Sequence, residues 1–241
     1  MRLYRLGLEE EIPSSSGLSL IEGRPAHHLV TVRRAKVGHE VNLFNEIVGE
    51  WKGIIERIEK GPRVFVQLQT KINDPIKLPK RQLAFGLIKW EACHFLIEKS
   101  TELGVTDFFP LITDLTQVRS LNADKVLSVM TDAVQQCGRH DLPRIYPPQS
   151  LMNWIESQKD SGPTWAFGQE RSQSTFLSCL CPQPTGILIG PEGGLSSQEQ
   201  KILQKTVSAF SLGPFILRAE TAGIVSLGIL ASRSNSISNS S

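Results

Sequence analysis

Gly186–Glu199 reads GILIGPEGGLSSQE: an aliphatic run, Ile187-Leu188-Ile189, halted by Gly190-Pro191, then Gly193-Gly194, then Ser196 with Glu199 three positions later. Aliphatic and β-branched residues without polar alternation are the pattern of a strand covered on both faces, as in a parallel sheet. Ser followed three positions on by Glu is the spacing of a capping box, so a helix is expected directly after the loop. The unit is therefore strand, glycine-rich loop, helix. Loops at the carboxyl ends of parallel strands offer backbone N–H groups to ligands, and glycine lets a ligand approach the main chain. An ordinary turn uses the same residues, and this stretch alone leaves both readings open.

The plan repeats at Ser211–Gly223, SLGPFILRAETAG. Phe210 and Leu212 close a strand at Gly213-Pro214, and from Ala219 onward AETAGIVSLGILASR reads as a helix apolar around most of its circumference, punctuated by Gly223 and Gly228. Such a helix is buried, and its glycines suggest close packing against another helix or another subunit. Read together, LIGPEGG and SLGPFILRAETA resemble the knotted-loop signature of the SPOUT methyltransferases and, within them, the RsmE family. The resemblance implies an α/β fold: a carboxyl-terminal parallel-sheet SPOUT domain with a trefoil knot, an exception to the rule that chains do not thread loops. It implies methylation of N3 of a uridine in 16S ribosomal RNA of the small ribosomal subunit, with S-adenosyl-L-methionine as donor and a cytoplasmic homodimer as the enzyme. Donor contacts are implied at Leu188, Gly190, Pro191, Glu192, Gly193 and Gly194, and at Leu212, Gly213, Ile216, Leu217, Arg218, Thr221 and Ala222. A SPOUT enzyme acting on another RNA position, and an RNA-binding homologue without transfer activity, are the alternatives.

The 241 residues, 40% hydrophobic and 21% charged, suffice for one large or two modest domains with their own cores. No apolar run reaches membrane-spanning length, and MRLYRLGLEEE lacks the apolar centre of a secretory signal, so export is not expected. Cys93, Cys137, Cys179 and Cys181 form no C-x-x-C pair and have no histidine nearby at ligand spacing, so neither a metal site nor a disulfide framework is expected. Neither G-x-G-x-x-G nor G-x-x-x-x-G-K-[ST] occurs, which leaves dinucleotide and P-loop chemistry without a motif. Net charge is only +2, yet Arg24, Arg33, Arg34 and Lys36 fall in a stretch without an acidic residue, and Arg2 and Arg5 add to the same end. A local basic surface is expected there, although such runs also arise as a merely solvated face.

Val41–Phe44, Trp51–Ile58 and Val64–Leu68 read as short strands separated by turn residues, which suggests a small β-barrel. The preceding HHLVTVRRAKVG resembles the RNA-binding, PUA-like amino-terminal domain of the RsmE family; taken alone, His27-His28 fits a structural or surface pair better than a ligand pair. Asn73–Lys80, rich in Pro and charge, marks the expected boundary: a β-rich domain over 1–72, a linker over 73–79, an α/β domain over 80–232 and a tail over 233–241 too poor in apolar surface to order itself. Within the second domain strand-like runs (Leu83–Ile88, Phe108–Ile112, Trp165–Phe167) alternate with helical ones (Ala92–Leu103, and from Asp124), which is the pattern of a parallel α/β sheet. KSTELGV at Lys99–Val105 and QQCGR at Gln135–Arg139 resemble further segments of the family. Arg139 thereby joins Arg2, Arg5, Arg24, Arg33, Arg34 and Lys36 as an implied RNA contact; without the resemblance, Gly104 is a helix C-cap and Arg139 a cation at a helix C-terminus.

Methyl transfer from a sulfonium is an in-line displacement, so the protein chiefly aligns donor and acceptor. Loss of the uridine N3 proton spreads negative charge over the flanking carbonyl oxygens, and a planar, permanently charged guanidinium suits that charge. Arg218 is therefore the expected electrostatic catalyst, with Glu192 and Glu220 as weaker candidates for orienting or accepting the proton. Phe215 departs from the family pattern, which often has another basic residue there.

Overall fold

The computed structural model describes residues 4–7, 12–13, 16–61, 63–158, 164–169, 176–180 and 184–237. Arg2 lies outside them, and Arg5 is described only in its backbone. The chain divides into two units, Met1–Lys77 with Val134–Leu142, and Leu78–Ala133 with Pro143–Ser241.

The first unit contains β1 (Tyr4–Gly7), β2 (Leu18–Ile21), α1 (Gly23–His27), a π-helical turn over His28–Val32, β3 (Glu40–Asn45), β4 (Gly49–Glu59) and β5 (Arg63–Asn73). These strands form one sheet in the order β1-β3-β4-β5-β2, with β1 parallel to β3 and the other pairs antiparallel. Register shifts between β4 and β5 at Glu50/Trp51, Lys52/Gly53 and Ile55/Arg57 coil the long hairpin, since each irregularity bends its strand and raises the local twist. The expected small barrel is realised as this half-barrel sheet. Alternation along β5 sends Val64, Val66 and Leu68 into a core shared with Val41, Leu43, Trp51 and Ile55. Residues 23–32, which include HHLVTV, are helical, and Ala26 and Leu29, three apart, both turn into that core.

Val134–Leu142 completes this unit from far along the chain. Its His140 is buried with its Nε2 3.4 Å from Glu50 Oε2, while Glu50 Oε1 accepts a 2.9 Å hydrogen bond from the Asn42 amide. A buried carboxylate needs such partners. Beside it Arg139 is buried and pairs through two nitrogens with Asp141, at 3.0 and 2.7 Å.

The second unit contains β6 (Gln82–Gly86), α2 (Trp90–Glu102), β7 (Asp107–Ile112), α3 (Ala123–Cys137, whose last residues count with the first unit), β8 (Arg144–Ile145), β9 (Gln149–Ser150), α4 (Leu151–Gln158), β10 (Trp165–Gly168), β11 (Gly186–Ile189), α5 (Ser197–Thr206), β12 (Ser208–Phe210) and α6 (Ala219–Ile237). The sheet runs β12-β10-β11-β6-β7-β8, with β9 also on β7, and every pair is parallel. β11 lies between β10 and β6 and is buried at every residue, as its unbroken aliphatic run requires. Gly186 opens it because a side chain there would overlap the Trp165 indole. Trp165 in turn meets Trp154 edge to face at 4.7 Å and Phe109 at 5.7 Å. A Cβ on Gly223 would lie 2.6 Å from Leu96, so α6 packs against α2 of the same chain at that glycine, whereas Gly228 has no such neighbour. α6 continues to Ile237, into the stretch whose composition suggests no order.

Candidate functional site

β6, β10, β11 and β12 all point their carboxyl ends to one edge of the parallel sheet, and the segments that follow them meet there. Strand order reverses direction in this region, since the chain passes from β6 to β7 on one side and returns through β10 and β11 on the other; such switch points hold ligand crevices in open α/β sheets. A cavity of about 910 Å³ opens at this edge.

The first loop leaves β11 at Gly190. Gly194 donates its backbone N–H to the Pro191 carbonyl at 2.8 Å and adopts a φ of +74°, which closes a tight turn that a side chain would strain. Pro191 sits against Gly86 at the end of β6, where any side chain would collide with its ring. Glu192 Oε1 accepts the backbone N–H of Lys89 at 3.2 Å, so this carboxylate caps the first turn of α2. At the far end of the loop Ser196 and Glu199 form the expected capping box of α5. Glu199 does more than cap. Its Oε1 accepts the backbone N–H of Asp114 at 2.9 Å, and Ser196 Oγ donates to Asp114 Oδ2 at 2.6 Å, which ties the segment after β7 to the first loop. Leu115 is thereby held against Gly193, where a Cβ would lie 3.1 Å from the Leu115 carbonyl oxygen. Gly193 is needed for that contact; the left-handed glycine of the loop is Gly194.

The second loop leaves β12 at Ser211. Ser211 Oγ accepts the backbone N–H of Gly213 at 3.2 Å, and Gly213 has a φ of +131°. Ala222 donates its N–H to the Arg218 carbonyl at 2.8 Å, which starts α6. Arg218 is exposed, and among the described residues its guanidinium holds no ion pair with Glu220 or any other acid. Cys93, buried beneath the first loop's neighbourhood on α2, has its thiol pushed up to about 12, first by burial and then by the negative charge of Glu192. It is a packing residue and no nucleophile at neutral pH.

The cavity brings together Gly190, Pro191, Glu192, Gly193 and Gly194 from the first loop with Leu212, Gly213, Ile216, Leu217, Arg218, Glu220 and Ala222 from the second. Two of the implied donor contacts are absent from its lining: Leu188 is a buried core residue of β11, and Thr221 is exposed on α6. The cavity also takes Phe167, Gly168 and Gln169 from the end of β10, and Lys89, Glu91, Ala92 and Phe95 from the start of α2. Sequence reading missed these because nothing local announces that β10 lies between β11 and β12. The strand–loop signal at Trp165–Gln169 was present, but the neighbour relation was not.

In the first unit Arg24, Arg33, Arg34 and Lys36 are exposed. Arg33 Nε donates to His28 Nε2 at 3.1 Å, which gives His28 a structural task. Arg34 adopts a left-handed φ of 56°, uncommon for a residue with a side chain, and ends the helical turn. Arg139 parts from this group: its buried guanidinium is engaged by Asp141.

A family profile described as the RNA methyltransferase domain matches residues 76–231, and one described as the RNA methyltransferase PUA domain matches residues 21–68. The chain is 29% identical over 232 residues to the ribosomal RNA small subunit methyltransferase E of Rickettsia conorii, covering 94% of each chain. It is 27% identical over 238 residues to the protein of that name in Bacillus subtilis, covering 92% of this chain and 91% of that one. A Legionella pneumophila protein described as a methyltransferase, solved with bound S-adenosylmethionine, superposes with a TM-score of 0.84 at 28% identity and covers 97% of this chain and 98% of its own. No described helix is long and apolar enough to cross a membrane.

Proposed function

This chain belongs to the RNA methyltransferase family, and on that premise we propose that it methylates N3 of a specific uridine in 16S ribosomal RNA of the small ribosomal subunit, using S-adenosyl-L-methionine. The names of its relatives support the ribosomal substrate, and the donor found in the Legionella protein supports the donor. The observation that carries the reading is Arg218: an exposed guanidinium without an ion pair among the described residues, in the same cavity as both glycine loops.

The cavity fits the donor. Its walls set glycines and apolar side chains beside charged and polar groups, as an amphipathic donor requires, and beyond the adjoining residues no atom lies within 4 Å of where a Cβ would stand on Gly194 or Gly213, so the main chain there is open to close approach. When bound, S-adenosyl-L-methionine supplies a methyl group on a positively charged sulfur. The residues around Gly190–Gly194, with Leu212, Gly213, Ile216 and Leu217, hold and orient it through main-chain groups and exclude water. Arg218 stabilises the charge that grows on the uracil carbonyl oxygens as N3 gives up its proton. Glu220, in the first turn of α6 and lining the cavity, is the better placed carboxylate for that proton; Glu192, occupied by the Lys89 N–H, positions the loop.

Arg24, Arg33, Arg34 and Lys36 are the RNA-binding face of the first unit in this reading, and two chains form a cytoplasmic homodimer. The trefoil knot belongs to the same proposal; single-molecule stretching would show it as an unfolded contour shorter than the residue count demands. The test of the function is transfer of label from methyl-labelled S-adenosylmethionine to unmodified small-subunit RNA, followed by nucleoside analysis. Label in 3-methyluridine is the expected result. Label in another nucleoside, or none, overturns it.

A further inference from the structure

The rim of the cavity exposes large apolar side chains. Phe215 leaves 82% of its surface to solvent, Ile216 49% and Phe95 of α2 47%, and all three line the cavity. A phenyl ring is ordinarily withdrawn into a core. Here it stands three residues before Arg218, on a loop held by the Ser211–Gly213 hydrogen bond. The volume of about 910 Å³ lies toward the upper end of the roughly 300–1,000 Å³ usual for small-molecule sites, which leaves room for a nucleobase beside the donor. Enzymes that act on a base must take it out of its stack, and an aromatic side chain that offers a new stacking surface offsets that cost. Every base has a π face, so such a contact recognises an extruded base without reading its edge.

The geometry points to Phe215 as the platform on which the extruded target uracil stacks, with Phe95 and Ile216 as the apolar rim beside it. Phe215 then determines affinity for the acceptor and leaves the donor alone. This rests on the methyl-transfer reading above. The occupant is the base because Arg218, the cation suited to uracil oxygens, lines the same cavity as the ring.

The experiment compares wild type with F215A, F215Y and F215W. Donor affinity by calorimetry stays unchanged in all of them. The RNA concentration giving half-maximal single-turnover rate rises roughly tenfold to a hundredfold in F215A, the range expected for loss of one stacked base, and returns close to wild type in F215Y. F215W, read as difference fluorescence against wild type, is quenched when a uridine-containing RNA single strand is added with S-adenosylhomocysteine present. An unchanged RNA dependence in F215A overturns the inference, as does an unquenched F215W. Loss of activity in F215A together with a changed mass by light scattering also overturns it, and makes the ring a contact between two copies of the chain. If wild type transfers methyl groups and F215A matches it, only the stacking falls; if wild type transfers none to small-subunit RNA, the functional reading falls and takes the stacking with it.

Discussion

An Arg218→Ala protein is expected to keep its donor affinity while turnover falls by roughly a hundredfold to a thousandfold, about 3 to 4 kcal/mol, as in deletions of oxyanion-stabilising groups. Charge appears on the uracil oxygens only as the proton leaves, so the guanidinium favours the transition state over the bound ground state. Raising the pH should restore part of the rate, because solvent then removes the N3 proton. Single-turnover methylation across pH, with both substrates saturating, is the measurement; a normal rate constant with weakened donor binding would show that Arg218 only shapes the pocket. At Gly193 a Cβ alone would lie 3.1–3.2 Å from Leu115, so a Gly193→Val side chain pushes the first loop away from the segment after β7, and a folded protein without donor affinity by calorimetry is expected. Cys93 gives a third outcome. With its thiol raised to about 12 in the folded state, it should resist iodoacetamide at pH 8 until the protein is denatured, as read by mass spectrometry. The sign for stability follows: an unfolded cysteine ionises near its ordinary 9.0 while the folded one stays protonated, so this contribution is complete below pH 9 and is lost as pH climbs toward 12.

Among the elements, α5 begins at a capping box that also anchors its neighbour. Glu199→Ala removes the acceptor for the Ser196 and Asp114 N–H groups and should destabilise the protein by about 1–3 kcal/mol in urea unfolding, from the missing cap and one orphaned donor. Donor affinity should fall with it, since Leu115 loses its support; unchanged affinity would show that the loop after β7 does not shape the cavity. This element also marks how far the sequence could be read. The capping box was legible because both partners are local, three residues apart. Asp114, 85 positions from Glu199, was not, because no periodicity or motif records a contact made through the sheet. The aliphatic run of β11 likewise told that it would be buried on both faces but not that β10 and β6 would flank it. Hence the two loops were found from their own glycines, while the β10 and α2 walls of the cavity were not.

For the whole molecule, the RNA face is tested by salt. Arg33→Ala with Arg34→Ala should weaken RNA binding and reduce the slope of log affinity against log salt by about one for each phosphate left without its cation. An unaltered slope removes both residues from the interface. Light scattering that finds a monomer at micromolar concentration would remove the homodimer. The division of the chain was only partly written in its composition: the Pro- and charge-rich segment after Asn73 falls where the first unit's continuous stretch ends, at Lys77, but nothing in QQCGRHDL announces that Val134–Leu142 belongs with that unit. That return has a consequence for how the protein is made. Domains ordinarily fold in order as they leave the ribosome. Here the half-barrel cannot finish when its own strands emerge, because His140 has yet to be translated and Glu50 must remain hydrated until it arrives. A series of arrested nascent chains should therefore place the amino-terminal unit's last folding step at lengths that release Leu142 from the exit tunnel, when only β6 and β7 of the methyltransferase sheet have emerged.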